Sequence, residues 1–285
     1  MFTMKFKLDS AQVFIPDGTG SEEALARTTH MAFGAHPDDI EILAVDGILE
    51  CFQRRDKWFT GVVVTNGSGA PRDNLYKDYT DEEMRAVRIV EQNKAAHIGE
   101  YAAVVLLDYP SSAVKDGLNQ DPVDDIAHLI EKAGPGIIYT HNLADKHDTH
   151  VAVALRVIQA IRSVPKENHP QKLYGCEVWR NLDWMVNSDK VVFDASSHEA
   201  LQAALLAVFD SQISGGKRYD LATMGSRRAN ATYSASHASD ISSGMVFAMD
   251  LTPLIEDPLL DPRSYVQGYI NRLTNDVSDR IARMS

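Results

Sequence analysis

The sequence predicts an α/β protein with a Rossmann-like, mostly parallel sheet that carries helices on both faces. Short apolar segments rich in β-branched residues alternate with amphipathic segments through the first two-thirds of the 285 residues. Short apolar strands separated by helices are typical of a parallel sheet that is covered on both sides. The composition, 44% hydrophobic and 24% charged, is that of a globular protein with a sizeable core.

Four strand–helix units are predicted in a row. The strands are expected at 30–35, 58–66, 102–108 and 136–142, and the helices that follow them at 39–54, 80–99, 119–134 and 149–164. Thr80 and Glu83 form a capping-box pattern at the start of the second helix, and Gly99 is expected to end it. Gly134 should end the third helix, and the fourth ends before Pro165.

The last third of the chain has a different pattern. Strands are predicted at 172–181, 190–196 and 243–252, and helices at 197–214 and 264–285. The segment 216–240, which contains Arg227, Arg228, Tyr233 and His237, is polar and poorly periodic, so it could form part of a substrate-binding wall or a plain surface loop. We expect a single domain over 1–285. Its core is about 29–165, and a C-terminal extension, about 166–285, should enlarge the sheet or cover the site.

Charge and composition exclude several classes of partner. The net charge is −12 and no basic face stands out, which disfavours both nucleic acids and adsorption to an anionic membrane. The N-terminal "MFTMKFKLDSAQVF" lacks the pattern of a signal peptide, and no apolar run approaches 18 residues. We therefore expect a cytoplasmic protein in which Cys51 and Cys176 are buried thiols.

The first chemical motif, "AHPDD", follows the first predicted strand. His36 and Asp39 are three residues apart, so a tight turn stiffened by Pro37 could direct both at one point. Nitrogen and carboxylate ligands suit zinc and related divalent metals, and Asp38 would then be free to act as a base. Taken alone, the motif could equally be a turn with a helix N-cap.

The second motif, "HNLADKHDTH", follows the fourth predicted strand. It contains five candidate side chains: His141, Asp145, His147, Asp148 and His150. Taken alone, a His-X-X-His pair is commonly a surface or core feature. The carboxyl ends of parallel strands meet at one edge of a sheet, so the two motifs together predict a metal site. A catalytic zinc typically has three protein ligands, which His36, Asp39 and one histidine of this motif would supply.

The motifs together resemble those of the LmbE-like deacetylases, also called the PIG-L family. The resemblance covers about 29–165 and rests on "AHPDD", "TNG" after the second strand, "RIVEQNKAAHIG" in the next helix and "THN…DKHDTH". It implies a hydrolase dependent on Zn²⁺, or another divalent metal such as Fe²⁺. The substrate would be a small N-acetylated amino-sugar conjugate of the N-acetylglucosamine type.

The resemblance also implies roles for individual residues. His36, Asp39 and His150 would hold the metal. Asp38 would be the general base, and His147 would stabilise the transition state or protonate the leaving amine. We expect the carboxylates near His147 to raise the pKa of its imidazole.

Two positions are less regular. Arg72, in the loop "GSGAPRD", resembles a substrate-binding arginine, although a solvated loop charge fits it nearly as well. The family usually has Asp immediately before the last ligand histidine, where this chain has Thr149. Because Thr149 cannot supply charge to orient an imidazole, Asp145 or Asp148 would have to do so.

Other functions remain open at this stage. The nearest rival is an amidase acting on a sugar-linked thiol conjugate. A non-catalytic metal-containing sugar- or nucleotide-binding protein would not need both Asp38 and His147. A phosphoesterase would usually need more carboxylates and often a second metal. A homo-oligomer is possible, because the last helix carries an apolar set of residues: Tyr265, Tyr269, Ile270, Leu273, Val277 and Ile281.

Overall fold

A computed structural model describes residues 5–285, and in these residues an eight-stranded, mostly parallel sheet lies between two layers of helices. The α/β class predicted from the sequence is confirmed. Residues 1–4, the first part of the N-terminal stretch that lacks a signal-peptide pattern, lie outside the described range. No helix within 5–285 is long and apolar enough to cross a membrane.

The elements are numbered in chain order. The strands are β1 (Gln12–Phe14), β2 (His30–Gly34), β3 (Phe59–Thr65), β4 (Ala103–Tyr109), β5 (Ile137–His141), β6 (Lys172–Cys176), β7 (Lys190–Asp194) and β8 (Met245–Asp250). The helices are α1 (Ser21–Ala26), α2 (Asp39–Leu43), α3 (Val45–Cys51), α4 (Asp81–Ile98), α5 (Ser111–Lys115), α6 (Asp121–Ala133), α7 (Asp148–Ser163), α8 (Glu199–Ala207), α9 (Asp210–Ile213), α10 (Tyr219–Tyr233), α11 (Thr252–Glu256) and α12 (Pro262–Met284).

The strand order of the sheet indicates where a ligand should bind. It is β1-β4-β3-β2-β5-β6-β8-β7, in which β4, β3, β2, β5 and β6 run parallel. The chain first builds outward from β2 through β3 to β4, and then resumes on the other side of β2 with β5 and β6. Ligands of open α/β sheets bind at such a reversal, outside the carboxyl ends of the strands. Both chemical motifs follow the two strands that flank it.

Alternating residues of β2 divide the core between the two faces. Met31 and Phe33 join one buried cluster, which includes apolar residues of α6 and α7, and Ala32 joins the cluster on the other face. The C-terminal strands extend the same sheet, since β6 pairs with β5, and β8 pairs antiparallel with both β6 and β7. All-round burial of β2 agrees with the uniformly apolar strands expected of a parallel sheet.

Most predicted elements are present, and several helix ends form as expected. Thr80 and Glu83 complete the reciprocal capping box of α4, and Gly134 adopts the left-handed conformation, φ 56°, after α6. Cys51 and Cys176 are buried free thiols, as predicted. The short elements β1, α1, α5 and α11 were not predicted, because three to six residues give too few periods for a hydrophobic pattern.

Two predicted helices are broken. The single helix expected over 39–54 is α2 followed by α3, with Ala44 outside helical geometry at φ −112° and ψ 24°. The one expected over 197–214 ends at Ala207 and resumes as the one-turn α9. In the poorly periodic 216–240 segment the chain forms the helix α10, whose buried residues include Arg227 and Asn230. Polar residues on the buried face explain the missing apolar periodicity.

Candidate metal centre

The turn after β2 is fixed by its own side chains. The backbone N–H of His36 donates to the Asp39 carboxylate at 2.7 Å, and the N–H of Asp39 donates to the His36 carbonyl at 3.2 Å. Asp39 then starts α2. Both side chains therefore leave one tight turn at the carboxyl end of β2, as their spacing predicted.

The structure brings His36, Asp39 and His150 together. Nδ1 of His36 lies 3.2 Å from Oδ2 of Asp39, Nε2 of His150 lies 3.4 Å from the same oxygen, and the two nitrogens are 3.3 Å apart. Tetrahedral ligands about 2.0–2.1 Å from a zinc ion are separated by about 3.3 Å. The three atoms therefore have the mutual spacing that ligands of one zinc ion would need.

The histidines around Asp39 keep its carboxyl ionised, as cation binding requires. Burial opposes its ionisation, but His150, His141 and His36 together hold the pKa of this carboxyl well below its usual range. Asp39 and His150 are both buried, and His36 is partly exposed. A buried carboxylate surrounded by imidazole nitrogens is the donor set of a metal site.

Asp145 lies directly behind the His150 ring. Its Oδ2 atom lies 3.5 Å from Nδ1 of His150, the nitrogen that does not face the ligand cluster. The same carboxylate accepts backbone N–H groups from His147 at 3.0 Å and Trp179 at 3.1 Å, so its position is fixed. A carboxylate behind a metal-binding imidazole orients the ring and raises its basicity. Thr149 therefore need not supply that charge.

His141 supports the site from within the sheet. Its Nε2 atom accepts the backbone N–H of Ala35 at 2.8 Å, and its ring stacks on His150 with centroids 3.9 Å apart. His141, Asp145 and His150 also form a second group with metal-ligand spacing. Hydrogen bonds to backbone N–H groups already occupy His141 and Asp145, which favours a supporting role for both.

Asp38 lies beside the ligands in a strained conformation. Its φ of 98° is rare for a residue with a side chain. Its carboxylate accepts from Nη2 of Arg88 at 3.1 Å, and its backbone N–H donates to the Gln92 side chain at 3.2 Å. Burial raises the pKa of Asp38 well above its usual value, although Arg88 opposes this. Asp38 therefore takes up a proton more readily than Asp39 does.

The "TNG" motif leaves room for Arg88. Gly67 has φ 64°, and a Cβ atom there would lie 2.7 Å from Nη1 of Arg88 and 2.9 Å from Cδ of Pro37. Arg88 donates to the carbonyl groups of Gly67, at 3.1 Å, and of Pro37. The lack of a side chain at Gly67 thus allows Arg88 to stabilise the turn that carries Asp38.

His147 precedes α7 as its N-cap. Its Nδ1 atom accepts the backbone N–H of Thr149 at 3.3 Å, so a neutral ring carries its proton on Nε2. Burial lowers the pKa of His147, and His150 and His36 lower it further. The expectation of a raised pKa was wrong, because burial and these two imidazoles outweigh the opposing effects of Asp39 and Asp145.

A cavity of about 450 Å³ opens beside the candidate metal ligands. His36, Asp38, Asp39, Arg88 and His147 contribute to its wall, and residues of other elements complete it: Ser111, Lys115, Trp179, Gln212, Lys217 and Tyr219. No sequence motif indicated Trp179, whereas Lys217 and Tyr219 belong to the 216–240 segment, for which a place in a substrate-binding wall was one of the two expectations.

Arg72 does not line this cavity. Its guanidinium donates to the Ser68 carbonyl at 2.8 Å and pairs with the carboxylate of Asp81.

Comparison with known proteins agrees with the motifs. Residues 31–161 match the sequence model of a family described as PIG-L: GlcNAc-PI de-N-acetylase. The chain is also 28% identical over 138 residues to a protein of Escherichia coli (strain K12) named uncharacterized deacetylase YaiS. That alignment spans 48% of this chain and 69% of the relative.

Solved structures share the fold. The chain resembles GalB, the 4-carboxy-2-hydroxymuconate hydratase of Pseudomonas putida KT2440, with a TM-score of 0.59 and 16% identity over 79% of this chain and 96% of that one. It resembles N,N'-diacetylchitobiose deacetylase from Pyrococcus horikoshii with a TM-score of 0.58 and 14% identity over 77% and 83%. Such low identities compare folds only. The match over 31–161 confirms that this part of the chain resembles the PIG-L, LmbE-like family, as the motifs predicted.

Proposed function

We propose that this protein is a metal-dependent hydrolase that removes the acetyl group from an N-acetylglucosamine-type sugar conjugate. One observation carries the proposal: His36, Asp39 and His150 have the spacing of metal ligands, and two of them, His36 and Asp39, share a cavity wall with a separate carboxylate, Asp38. The de-N-acetylase description of the matching family and the deacetylase name of the E. coli relative support this reaction.

His36, Asp39 and His150 would hold the metal, for which we propose Zn²⁺, with Fe²⁺ as the alternative. When bound, such an ion acidifies a water molecule and polarises the acetyl carbonyl. The two nitrogens and one oxygen suit either metal. The rest of the chemistry falls to the chain's own side chains.

Asp38 would move the proton. As the water oxygen attacks the acetyl carbon, Asp38 accepts a proton from the water. When the carbon–nitrogen bond breaks, the same proton passes to the amine, leaving acetate and a free amino sugar. The raised pKa of Asp38 suits a group that must first take and then return a proton.

His147 would stabilise the oxyanion as a neutral donor. Its Nδ1 is occupied by the Thr149 N–H, which leaves the Nε2–H group to donate a hydrogen bond into the cavity that the ring lines. A donor positioned where negative charge develops lowers the barrier of acyl transfer. A charged imidazole is not required, in keeping with the lowered pKa of His147.

The substrate would lie against the aromatic side chains of Trp179 and Tyr219, which line the same cavity. Tyr and Trp offer apolar faces with a polar edge, as a sugar ring needs. Arg72 stays a proposed substrate contact, although its guanidinium pairs with Asp81 and does not line this cavity.

The test is an acetate-release screen with purified, zinc-loaded protein. The panel contains N-acetylglucosamine, its simple glycosides and acylated sugar–thiol conjugates, and Asp38→Asn serves as the inactive control. Acetate and free amine in equal amounts, absent with the control, would support deacetylation. Release of a larger acid from the thiol conjugate alone would favour the amidase, and tight binding without turnover would favour a binding protein.

A further inference from the structure

Helix α12 is long, and most of it is exposed. It spans Pro262–Met284, about 35 Å at 1.5 Å per residue, and Tyr269 is the buried residue within it. Its first half is tied to the body, because the Tyr265 hydroxyl donates to the last carbonyl of β8 at 2.6 Å and Arg272 pairs with Asp189. Beyond Arg272, no hydrogen bond or ion pair joins α12 to another element of the described chain.

One face of α12 carries an apolar stripe. Its members recur every three or four residues: Val266, Ile270, Leu273, Val277, Ile281 and Met284. At 3.6 residues per turn they lie within about 80° of one another around the helix. The exposed fraction rises along the stripe, from 40% at Ile270 to 61% at Ile281 and 81% at Met284. An isolated helix of about 12 residues is marginal in water, so the second half of α12 needs a surface that covers its stripe.

The first part of the stripe forms one side of a groove of about 490 Å³ on the body of the protein. Val266 and Ile270 line this groove on α12, and Val151 and Leu155 line it on α7. Leu143 completes its apolar lining. The groove and the exposed stripe are therefore continuous, and the stripe of one copy of the chain could fill the groove of another.

The two ends of α12 complement each other. Residues 256–263 contain one base and three acids: Glu256, Asp257 and Asp261. Residues 280–284 contain Arg280 and Arg283 and no acid. An exposed leucine, Leu259, lies beside the first end, and Met284 lies at the second. In an antiparallel pair of α12 helices, acidic groups would face basic groups, apolar groups would face each other, and the two helix dipoles would oppose.

We propose that α12 is a dimerisation element, through which two copies of this chain pair antiparallel and the second half of each α12 fills the groove between α7 and α12 of the other copy. A two-fold axis uses the same stripe and groove twice, as an isologous interface requires. An apolar stripe narrower than about 100° is typical of a seam between helices. An axis that crosses α12 near Arg272 would bring Arg283 of each copy opposite Asp261 of the other. No residue of the stripe or groove lines the metal cavity, so the inference is independent of the proposed function.

The first test measures the mass of the full chain by sedimentation equilibrium across the micromolar concentration range. We expect the wild type to pass from the 31.5 kDa of one chain to twice that mass as its concentration rises. Leu273→Glu and Val277→Glu place like charges opposite each other in the seam. Each should weaken dimerisation at least about tenfold. Leu118→Glu is the matched control, because Leu118 is an exposed leucine outside the stripe, and it should dimerise as the wild type does.

The second test uses single introduced cysteines to report the orientation, since Cys51 and Cys176 are buried. A disulfide requires Cα atoms within about 7 Å of each other. In an antiparallel pair centred near Arg272, Leu273→Cys lies beside its own copy and should form a disulfide-linked dimer under mild oxidation. Met284→Cys would lie about 36 Å from its own copy and should stay unlinked.

A wild type that keeps the mass of one chain throughout the concentration range would overturn the proposal. A dimer that both Leu273→Glu and Val277→Glu leave intact would also overturn it, because the copies would then meet at another surface. Disulfide-linked dimers of Met284→Cys would exclude the antiparallel arrangement. A monomeric wild type that binds phospholipid vesicles, with binding lost in Val277→Glu, would identify a membrane as the surface that covers the stripe and overturn the dimer.

Discussion

Two adjacent carboxylates acquire opposite properties at the end of β2. Three histidines surround Asp39 and hold the pKa of its carboxyl low, whereas burial dominates at Asp38 and raises the pKa there. Environments that separate the pKa values of neighbouring acids commonly separate their roles. Asp39 suits a metal ligand, and Asp38 suits a proton carrier.

Replacing Asp38 by Asn should leave the metal in place and abolish most turnover. The new amide can still accept from Arg88 but cannot take a proton, and loss of a general base typically lowers kcat by about 10²–10⁴-fold. The measurements are metal content by elemental analysis and kcat for acetate release. Asp148→Asn is the control, because Asp148 is exposed. Wild-type turnover in the Asp38→Asn variant would show that another group is the base.

Replacing His147 should lower kcat without removing the metal. The ligand atoms come from His36, Asp39 and His150, so His147 is not needed to complete the cluster. Removal of one oxyanion donor costs about 10²–10³-fold in kcat. His147→Asn retains an N-cap acceptor for α7, so its stability separates capping from catalysis. Loss of metal in both His147→Ala and His147→Asn would instead identify His147 as a ligand.

At the scale of elements, prediction succeeded where apolar periodicity decides the structure. The strands β2 to β5 and the helices α6 and α7 each bury apolar residues at regular spacing. Helix α4 buries Arg88, Glu91 and Gln92, and its capping box, Thr80 with Glu83, made its start predictable. The convergence of His36 and His150 could also be anticipated, because the ends of parallel strands meet at one sheet edge. Helix α10 could not be predicted from apolar periodicity, because Arg227 and Asn230 occupy its buried face. Trp179 and Tyr219 reach the site only through tertiary packing of the C-terminal extension.

Helix α2 is held against α4 by a buried acid whose titration should be measurable. Glu41 accepts from the Gln92 side chain at 2.8 Å and from the Tyr101 hydroxyl at 2.9 Å, and its second oxygen has no partner among the described residues. Burial raises the pKa of Glu41 from 4.5 to about 7. The folded state therefore holds this proton more tightly than the unfolded state does.

Glu41→Gln should remove a pH dependence of folding stability. Between pH 4.5 and 7, raising the pH ionises Glu41 in the unfolded chain first. The wild type should therefore lose up to about 1.4 kcal/mol of unfolding free energy per pH unit through this group. Urea unfolding at pH 5 and pH 8, in EDTA, should show the Glu41→Gln variant gaining on the wild type as the pH rises. The exposed Glu131→Gln is the control, and a difference independent of pH would contradict the assignment.

At the scale of the whole molecule, the site joins parts of the chain that are far apart in sequence. His36 follows β2, and His150 lies 114 residues later in α7, beyond β5. A metal bound by both would link the two strand ends on either side of the reversal in strand order. Because the three ligand atoms converge only in the folded sheet, the ion should bind the native state in preference to the unfolded chain.

Metal removal should therefore lower thermal stability. Zinc at about 100 times its dissociation constant would stabilise the native state by about 2.7 kcal/mol. For a chain of this size that corresponds to a rise in Tm of roughly 5 °C. The measurement is a thermal scan with EDTA and after zinc is restored. His150→Ala should give no zinc-dependent shift, whereas the exposed His97→Ala should keep it. An equal shift in His150→Ala would mean that zinc stabilises the protein at some other place.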